Sequence, residues 1–336
     1  VIKVLVVDDS AVVRKVLSEE LSRLPDIEVV ATAMDPYVAR DRIVEQKPDV
    51  ITLDLEMPRM DGLSFLAKLM RHMPLPVVVV SSMAPENSEN AFRALELGAV
   101  EVVPKPGSRF SVPDVGRLLA RAVRAAARAR VAPSPATPEG ADAPARERTT
   151  FSGLAATTHK VLAVGASTGG TRALESIFRA LPGHTPGTVV VQHMPQGFTR
   201  LFAERLDSLC AMEIREARSG EAVVPGTCLI APGGHHMVLV RSGARYEVEL
   251  RDTPPVHHQR PAVDVLFESV ARHAGANAVG VLLTGMGQDG AAGLERMQEA
   301  GAPTLAQDEG PSVVCELAHG AVAGGAAARG VALPDL

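Results

Sequence analysis

Cysteine is scarce in this 336-residue chain: Cys210, Cys228 and Cys315 are an odd number, widely spaced, and none sits in a Cys-x-x-Cys pair. That pattern gives no basis for a disulfide framework or a thiolate zinc site, and the expected compartment is a reducing cytoplasm. Net positive charge is lacking as well. With 34 Lys and Arg against 39 Asp and Glu, the chain carries −5, which argues against a surface built to neutralise nucleic-acid phosphates. Long apolar runs are also missing. The apolar start is interrupted by Lys3 and stopped by Asp8 and Asp9, and no uncharged run reaches the roughly 18 residues of a membrane span.

What the chain does have is enough apolar residue, 46% hydrophobic, and about twice the usual length for one domain, so two cores are expected. Residues 1 to about 106 alternate β-rich runs (IKVLVV, EVVATA, DVITLDL, PVVVVSS, VEVVPK) with amphipathic stretches. Five βα units predict a doubly wound parallel sheet. Val12, Val13, Val16, Leu17 and Leu21 recur at helical spacing behind Ser10, a suitable N-cap. From Val131 to about Thr158 the composition turns to Pro, Ala, Thr, Glu and Arg without periodicity, which cannot bury enough surface to offset ordering entropy. The predicted organisation is a domain over 1–130, a flexible linker over 131–158 and a second domain over 159–336. The second domain is also read as mostly parallel α/β, with helices near Thr171–Ala180 and Thr199–Leu209 and an antiparallel insertion around Cys228–Leu250.

In that domain three apolar runs end in residues that do chemistry. VLAVGASTGG places Ser167 at a glycine-rich strand-to-helix turn, TVVVQH ends at His193, and AVGVLLTGMGQDG leads to Asp289. If the runs are neighbouring parallel strands, the three side chains share the carboxyl rim where open α/β sheets bind ligands. Acyl transfer needs this trio, because a serine hydroxyl is a weak nucleophile until a histidine takes its proton and a carboxylate holds that histidine. Gly165, Ser167 and Gly169 satisfy G-x-S-x-G, and the helix after Ser167 points N–H groups at a developing oxyanion. The chain order Ser, His, Asp differs from that of α/β-hydrolases. Taken singly, Ser167 and Asp289 also read as N-caps and His193 as a polar strand end.

The first domain has a rim of its own. Asp8 and Asp9 close the first strand, Asp54 the third, Ser81 and Ser82 the fourth, and Lys105 the fifth before Pro106. Clustered carboxylates suit a hard divalent cation such as Mg2+, which leaves room for phosphate oxygens, and the lysine and hydroxyl complete a phosphoryl site. Arg117, Arg121, Arg124 and Arg128 follow a helical spacing and are read as a solvated or interdomain face.

The motifs VVDDS, LDLEMPRMDGL, VVVVSS and VVPKP, in register over the first 106 residues or so, resemble response-regulator receiver domains. The resemblance implies a flavodoxin-like fold in which Asp54 accepts a phosphoryl group from a CheA-type histidine kinase. It implies Mg2+ held by Asp8, Asp9, Asp54 and the Glu56 backbone, Ser81 as switch hydroxyl, Lys105 on the phosphate, and a cis Lys105–Pro106 peptide. Where many receivers carry an aromatic switch residue, this chain has Val102.

The Ser167, His193 and Asp289 segments, together with LIAPGGHHM, RPAVDVLF and LAQDEGPSVV, resemble the catalytic domain of the chemotaxis protein-glutamate methylesterases, the CheB family, over about 160–325. That resemblance implies Ser167 as nucleophile, His193 as general base and acid, Asp289 as its orienting carboxylate and the Met286 amide as oxyanion donor. It implies hydrolysis of glutamate γ-methyl esters, with glutamine deamidation, on chemoreceptor cytoplasmic helices, without a cofactor at the esterase site. The unphosphorylated receiver is expected to cover the active-site rim. At Cys315-Glu316-Leu317-Ala318 the chain departs from the family's usual Gly-Met-Pro. His235-His236 and His257-His258 are read as polar loop and surface residues rather than metal ligands, and Asp308 and Glu309 as loop residues. Rival readings are a docking module with a vestigial triad and a DNA-binding regulator; the latter lacks a helix-turn-helix pattern and a basic footprint.

Overall fold

The computed structural model describes residues 1–57, 60–82, 85–107, 111–129, 131, 160–308, 316–327 and 330–332. The chain divides into two compact units, Val1–Gly140 and Ala141–Leu336. Their boundary, like the expected linker beyond Val131, lies outside the described residues.

The first unit alternates β1 (Ile2–Val7), α1 (Ala11–Ser22), β2 (Ile27–Ala33), α2 (Pro36–Gln46), β3 (Val50–Asp54), α3 (Gly62–His72), β4 (Val77–Ser81), α4 (Pro85–Leu97), β5 (Glu101–Pro104) and α5 (Val112–Arg128). The strands form one parallel sheet in the order β2-β1-β3-β4-β5. Every residue of β3 and β4 is buried, as expected where helices cover both faces of a parallel sheet. The order reverses between β1 and β3, so the crevice for ligands opens where Asp8 follows β1 and Asp54 ends β3.

Ser10 caps α1 by accepting from the Val13 N–H. Leu17 and Leu21 are buried, whereas Val12 is 72% exposed; five residues before Leu17, it lies roughly 140° around the helix from it. The arginine stripe of α5 does not present free cations: Arg117 pairs with Asp114, Arg121 with Glu101 at 2.9 Å, and Arg124 with both oxygens of Asp26 at 2.7 and 2.8 Å. The Arg124 hydrogen bonds hold the Asp26 carboxyl down at about 2.

The second unit contains β6 (Val161–Ala166), α6 (Gly170–Ala180), β7 (Gly187–Gln192), α7 (Phe198–Leu209), β8 (Glu213–Glu216), β9 (Glu221–Ala222), β10 (Thr227–Ile230), β11 (His236–Ser242), β12 (Arg245–Arg251), α8 (Val263–His273), β13 (Ala278–Leu282), α9 (Ala291–Glu299), β14 (Thr304–Gln307), α10 (Glu316–Ala323) and β15 (Gly330–Val331). Seven strands pair in parallel in the order β15-β14-β13-β6-β7-β10-β8. The antiparallel insertion is narrower than the sequence suggests. It comprises β11, β12 and β9, while Cys228 lies in β10 of the parallel sheet, because TCLI is buried on both faces and carries no alternation to mark it as a ribbon strand.

Val263, Leu266, Phe267 and Val270 recur at helical spacing and are fully buried, so α8 docks one apolar stripe against β6, β11 and α9. Each of the larger side chains contributes on the order of 2 kcal/mol by leaving water. A Cβ at Gly165 would overlap Val263 Cγ1, which is why β6 needs glycine beneath α8. Cys210 and Cys228 are buried and unlinked. Among the described residues no helix is long and apolar enough to cross a membrane.

The expected cis bond at Lys105–Pro106 is not present; among the described residues the cis peptide is Arg260–Pro261. An X-Pro bond keeps a trans preference unless its surroundings override it.

Candidate active site and receiver pocket

The strands that precede Ser167, His193 and Asp289 are β6, β7 and β13, and they are adjacent, in the order β13-β6-β7. The carboxyl rim therefore brings together residues up to 122 positions apart in the chain. His193 Nδ1 lies 3.0 Å from Ser167 Oγ, and His193 Nε2 lies 2.7 Å from Asp289 Oδ2. All three residues are 95% or more buried.

The two ring nitrogens have distinct roles. A carboxylate only accepts, so Nε2 carries the proton toward Asp289, and Nδ1 presents its lone pair to the serine hydroxyl. The basic nitrogen is therefore Nδ1, a detail that residue types cannot disclose.

Asp289 is itself held by a helix start. Its Oδ2 accepts the Val263 N–H at 2.8 Å and its Oδ1 the Asp264 N–H at 2.9 Å. These are the first two residues of α8, whose N-cap position is Ala262 and offers no side-chain acceptor. The unsatisfied N–H groups of a helix start are an anion site. Burial opposes the Asp289 charge, but the His193 hydrogen bond and charge and the two backbone donors outweigh it and hold the carboxyl below the ordinary range. The reading of Asp289 as cap of the following helix does not hold: α9 has Gly290 at its N-cap, and the Asp289 carboxylate serves α8 instead.

Ser167 is not a helix cap either. Gly169, at φ +79°, fills that position of α6, and the Gly170 N–H is taken by the Ser167 carbonyl at 2.8 Å. The Ser167 turn is locked from three sides. Its N–H donates to the Thr284 carbonyl at 3.0 Å, the Thr284 hydroxyl to the Thr168 carbonyl at 3.1 Å, and the Gln192 amide to the Ser167 and His193 carbonyls at 2.8 and 3.1 Å. Gln192 also sits where a Cβ on Gly170 would be. Its positioning part was not legible beforehand, although a glutamine immediately before the strand-end histidine was in view.

Met286 lies in the loop between β13 and α9, one residue after Gly285, where a Cβ would stand 2.5 Å from Ser167 Cβ. The loop is gripped by the segment that departs from the family pattern. Leu317 N–H donates to the Gly285 carbonyl at 3.2 Å, and Glu316 Oε2 accepts the Gly287 N–H at 3.3 Å. Cys315 and Glu309 lie outside the described residues; the Asp308 N–H pairs with the Val331 carbonyl at 2.9 Å.

The histidine pairs divide. His235 faces Asp252 at 2.6 Å on the surface. Buried His236 accepts from the Ala262 N–H at 3.2 Å and donates to the Pro254 carbonyl at 3.1 Å, and burial lowers its pKa. His257 is more than a polar loop residue, because its Nε2 lies 3.0 Å from Oδ2 of buried Asp264.

In the first unit Asp8, Asp9 and Asp54 bring carboxylate oxygens within 4.8 Å of one another. Lys105 Nζ lies 2.7 Å from Asp54 Oδ2 and 3.1 Å from Asp8 Oδ2. Asp8 Oδ1 accepts the Ser10 N–H and Asp54 Oδ1 the Glu56 N–H. Burial and the Asp8 charge raise the Asp54 pKa despite Lys105. Burial works against the Lys105 charge, yet Asp54 and Asp8 override it and hold the ammonium. One ammonium shared by buried carboxylates leaves negative charge uncompensated, and this donor set fits a hard divalent cation. Ser81 ends β4 buried, its hydroxyl donating to the Ser82 carbonyl at 3.3 Å, and its carbonyl accepts the Lys105 N–H at 2.9 Å. Val102 pairs in register with Val79 on β4.

Family profiles match both units: CheB methylesterase over residues 162–336 and response regulator receiver domain over residues 4–112. A protein of Syntrophus aciditrophicus named protein-glutamate methylesterase/protein-glutamine glutaminase 2 is 55% identical over 335 residues, covering 100% of this chain and 97% of its own length. One of Anaeromyxobacter dehalogenans, bearing the same name with number 4, is 56% identical, covering 99% and 92%. The crystal structure of the Thermotoga maritima CheB methylesterase catalytic domain superposes with a TM-score of 0.51 at 36% identity, covering 52% of this chain and 94% of that one.

Proposed function

The chain belongs to the CheB methylesterase family and carries a response regulator receiver domain, and from that premise we propose that it is a phosphorylation-activated serine hydrolase of glutamate γ-methyl esters on chemoreceptors. The hydrogen-bonded series Ser167, His193, Asp289 carries this reading. As the ester carbonyl is attacked, the Ser167 proton passes to Nδ1 and the Met286 N–H stabilises the oxyanion. The C–O bond to methanol then breaks, with Nδ1 returning the proton to the leaving oxygen. Water, deprotonated by the same nitrogen, cleaves the acyl-enzyme to a glutamate carboxylate and restores the serine. A glutamine side chain follows the same course with ammonia leaving, so deamidation is a second activity of one site. The imidazolium formed on the way is stabilised by Asp289.

In this reading residues 1–130 are the receiver, 131–158 the linker and 159–336 the esterase domain. Asp54 takes a phosphoryl group from a CheA-type histidine kinase, Lys105 binds the phosphate and Ser81 is the switch hydroxyl. Asp8, Asp9, Asp54 and the Glu56 carbonyl would hold Mg2+, which when bound supplies positive charge to the incoming phosphoryl oxygens. Activation is a population shift. A swing from 1:99 to 99:1 requires about 5.5 kcal/mol, so one phosphoryl group produces graded activation. The protein acts in the cytoplasm, on the cytoplasmic helices of receptors.

Mass spectrometry of methylated receptor peptides incubated with the protein tests the reading. Loss of the methyl group is expected with the wild type and is absent with Ser167→Ala; equal loss with both would end the nucleophile assignment.

A further inference from the structure

Behind the catalytic carboxylate lies a second carboxylate–imidazole pair, and we propose that Asp264, held by His257, is a positioning residue for Asp289. The proposal rests on the esterase reading above.

Asp264 joins two helix starts. Its main-chain N–H, in the first turn of α8, donates to Asp289 Oδ1 at 2.9 Å, while its own Oδ1 accepts the Gly293 N–H from the first turn of α9 at 2.6 Å. Asp289 stands two residues before α9. Each helix start therefore binds the carboxylate that belongs to the other segment, and loosening one end frees the other. The remaining Asp264 oxygen is fixed by His257 Nε2 at 3.0 Å.

The turn that delivers His257 is held in an uncommon conformation. His257 and His258 both have positive φ, +50° and +61°, in a two-residue reversal closed by Val256 N–H to the Gln259 carbonyl and Gln259 N–H to the Val256 carbonyl. Asn and Gly are the usual occupants of such a turn. An imidazole here has a local cost, and it is the imidazole that reaches the buried carboxylate.

Charge sets the rest of the argument. Asp264 is 4% exposed, and the charged groups that act on it are Asp289 and His257. His236 on β11 senses Arg260 and Asp289, and His193 faces Asp289 from the end of β7. Burial, together with the Asp289 charge, raises the Asp264 pKa against its Gly293 and His257 contacts. Against that burial, the His257 contact favours the anion to which the Gly293 N–H donates.

Two variants of the full-length protein, with kcat and KM on a methylated receptor peptide, decide the matter. Asp264→Asn keeps an acceptor for Gly293 and removes the anion: kcat falls about tenfold while KM holds. His257→Asn places in the left-handed turn a residue that tolerates it at least as well. Its kcat drops about three- to tenfold at unchanged KM, because Asp264 loses the donor that fixes its second oxygen. A lower kcat at unchanged KM in both variants supports the proposal. Wild-type kcat in either variant, or a loss carried by KM alone, overturns it. Inactivity of the wild type on the peptide would instead overturn the esterase reading on which it stands.

Discussion

Asp289→Asn is expected to lower kcat on a methylated receptor peptide by about 10³- to 10⁴-fold, with little change in KM. The precedent for the magnitude is the loss seen when a triad aspartate becomes an amide. The geometry says why it applies here. Three N–H groups, from His193, Val263 and Asp264, converge on this carboxylate. An amide offers one oxygen and one NH2, so whichever way it turns, a donor meets a donor. If the NH2 faces Nε2, the ring must carry its proton on Nδ1, toward Ser167, and the base is lost. If the oxygen faces Nε2, the tautomer survives but the imidazolium has no anion beside it, and the Asp264 N–H is left unpaired at about 1–3 kcal/mol. Activity within tenfold of wild type would contradict the orienting part assigned to Asp289.

Gly285→Ala is expected to lower kcat by on the order of 10² to 10³, the loss typical of one oxyanion donor. The added methyl would overlap Leu317 Cδ1 and stand 2.5 Å from Ser167 Cβ. Neither neighbour can yield freely. Leu317 is fully buried in the first turn of α10, and the Ser167 turn is tied to Thr284 and Gln192. The loop carrying Met286 must move instead, and with it the N–H proposed to meet the oxyanion. Steady-state kinetics separate this from general destabilisation: a variant with the wild-type far-ultraviolet spectrum but depressed kcat fits the argument, and one with wild-type kcat rejects it.

Much of this arrangement was legible in the sequence, for reasons particular residues make clear. VLAVGA, VVV within GTVVVQ, and AVGVL are apolar runs, the mark of strands covered on both faces, and each leads to a residue able to do chemistry. Parallel strands then need only be neighbours for their ends to meet, as β13, β6 and β7 are. Asp8, Asp54 and Lys105 were visible for the same reason, each at the end of its run.

The rest depended on backbone groups and on distances through space. That Asp289 binds the start of α8 is invisible in side-chain types, since the donors are the N–H groups of Val263 and Asp264. The one available hint was a helix opening at Ala262-Val263 with no residue to cap it, which demands an acceptor from elsewhere. His257 escaped because paired histidines in a Pro-rich, polar stretch look like solvated loop. The antiparallel ribbon looks wider in the sequence than it is because TCLI, in β10, and MVLV, in β11, are alike as short apolar runs, and only pairing tells a buried parallel strand from a ribbon strand. Which ring nitrogen faces the serine has no sequence signature at all.

The central claim is that Ser167, hydrogen-bonded to His193, is an activated nucleophile. Labelling with a fluorophosphonate, which bonds only to an activated serine, followed by peptide mapping, tests it most directly. The adduct is predicted on the Ser167 peptide of the wild type and on no peptide of Ser167→Ala; an unlabelled wild type, or a variant labelled as readily, would contradict it.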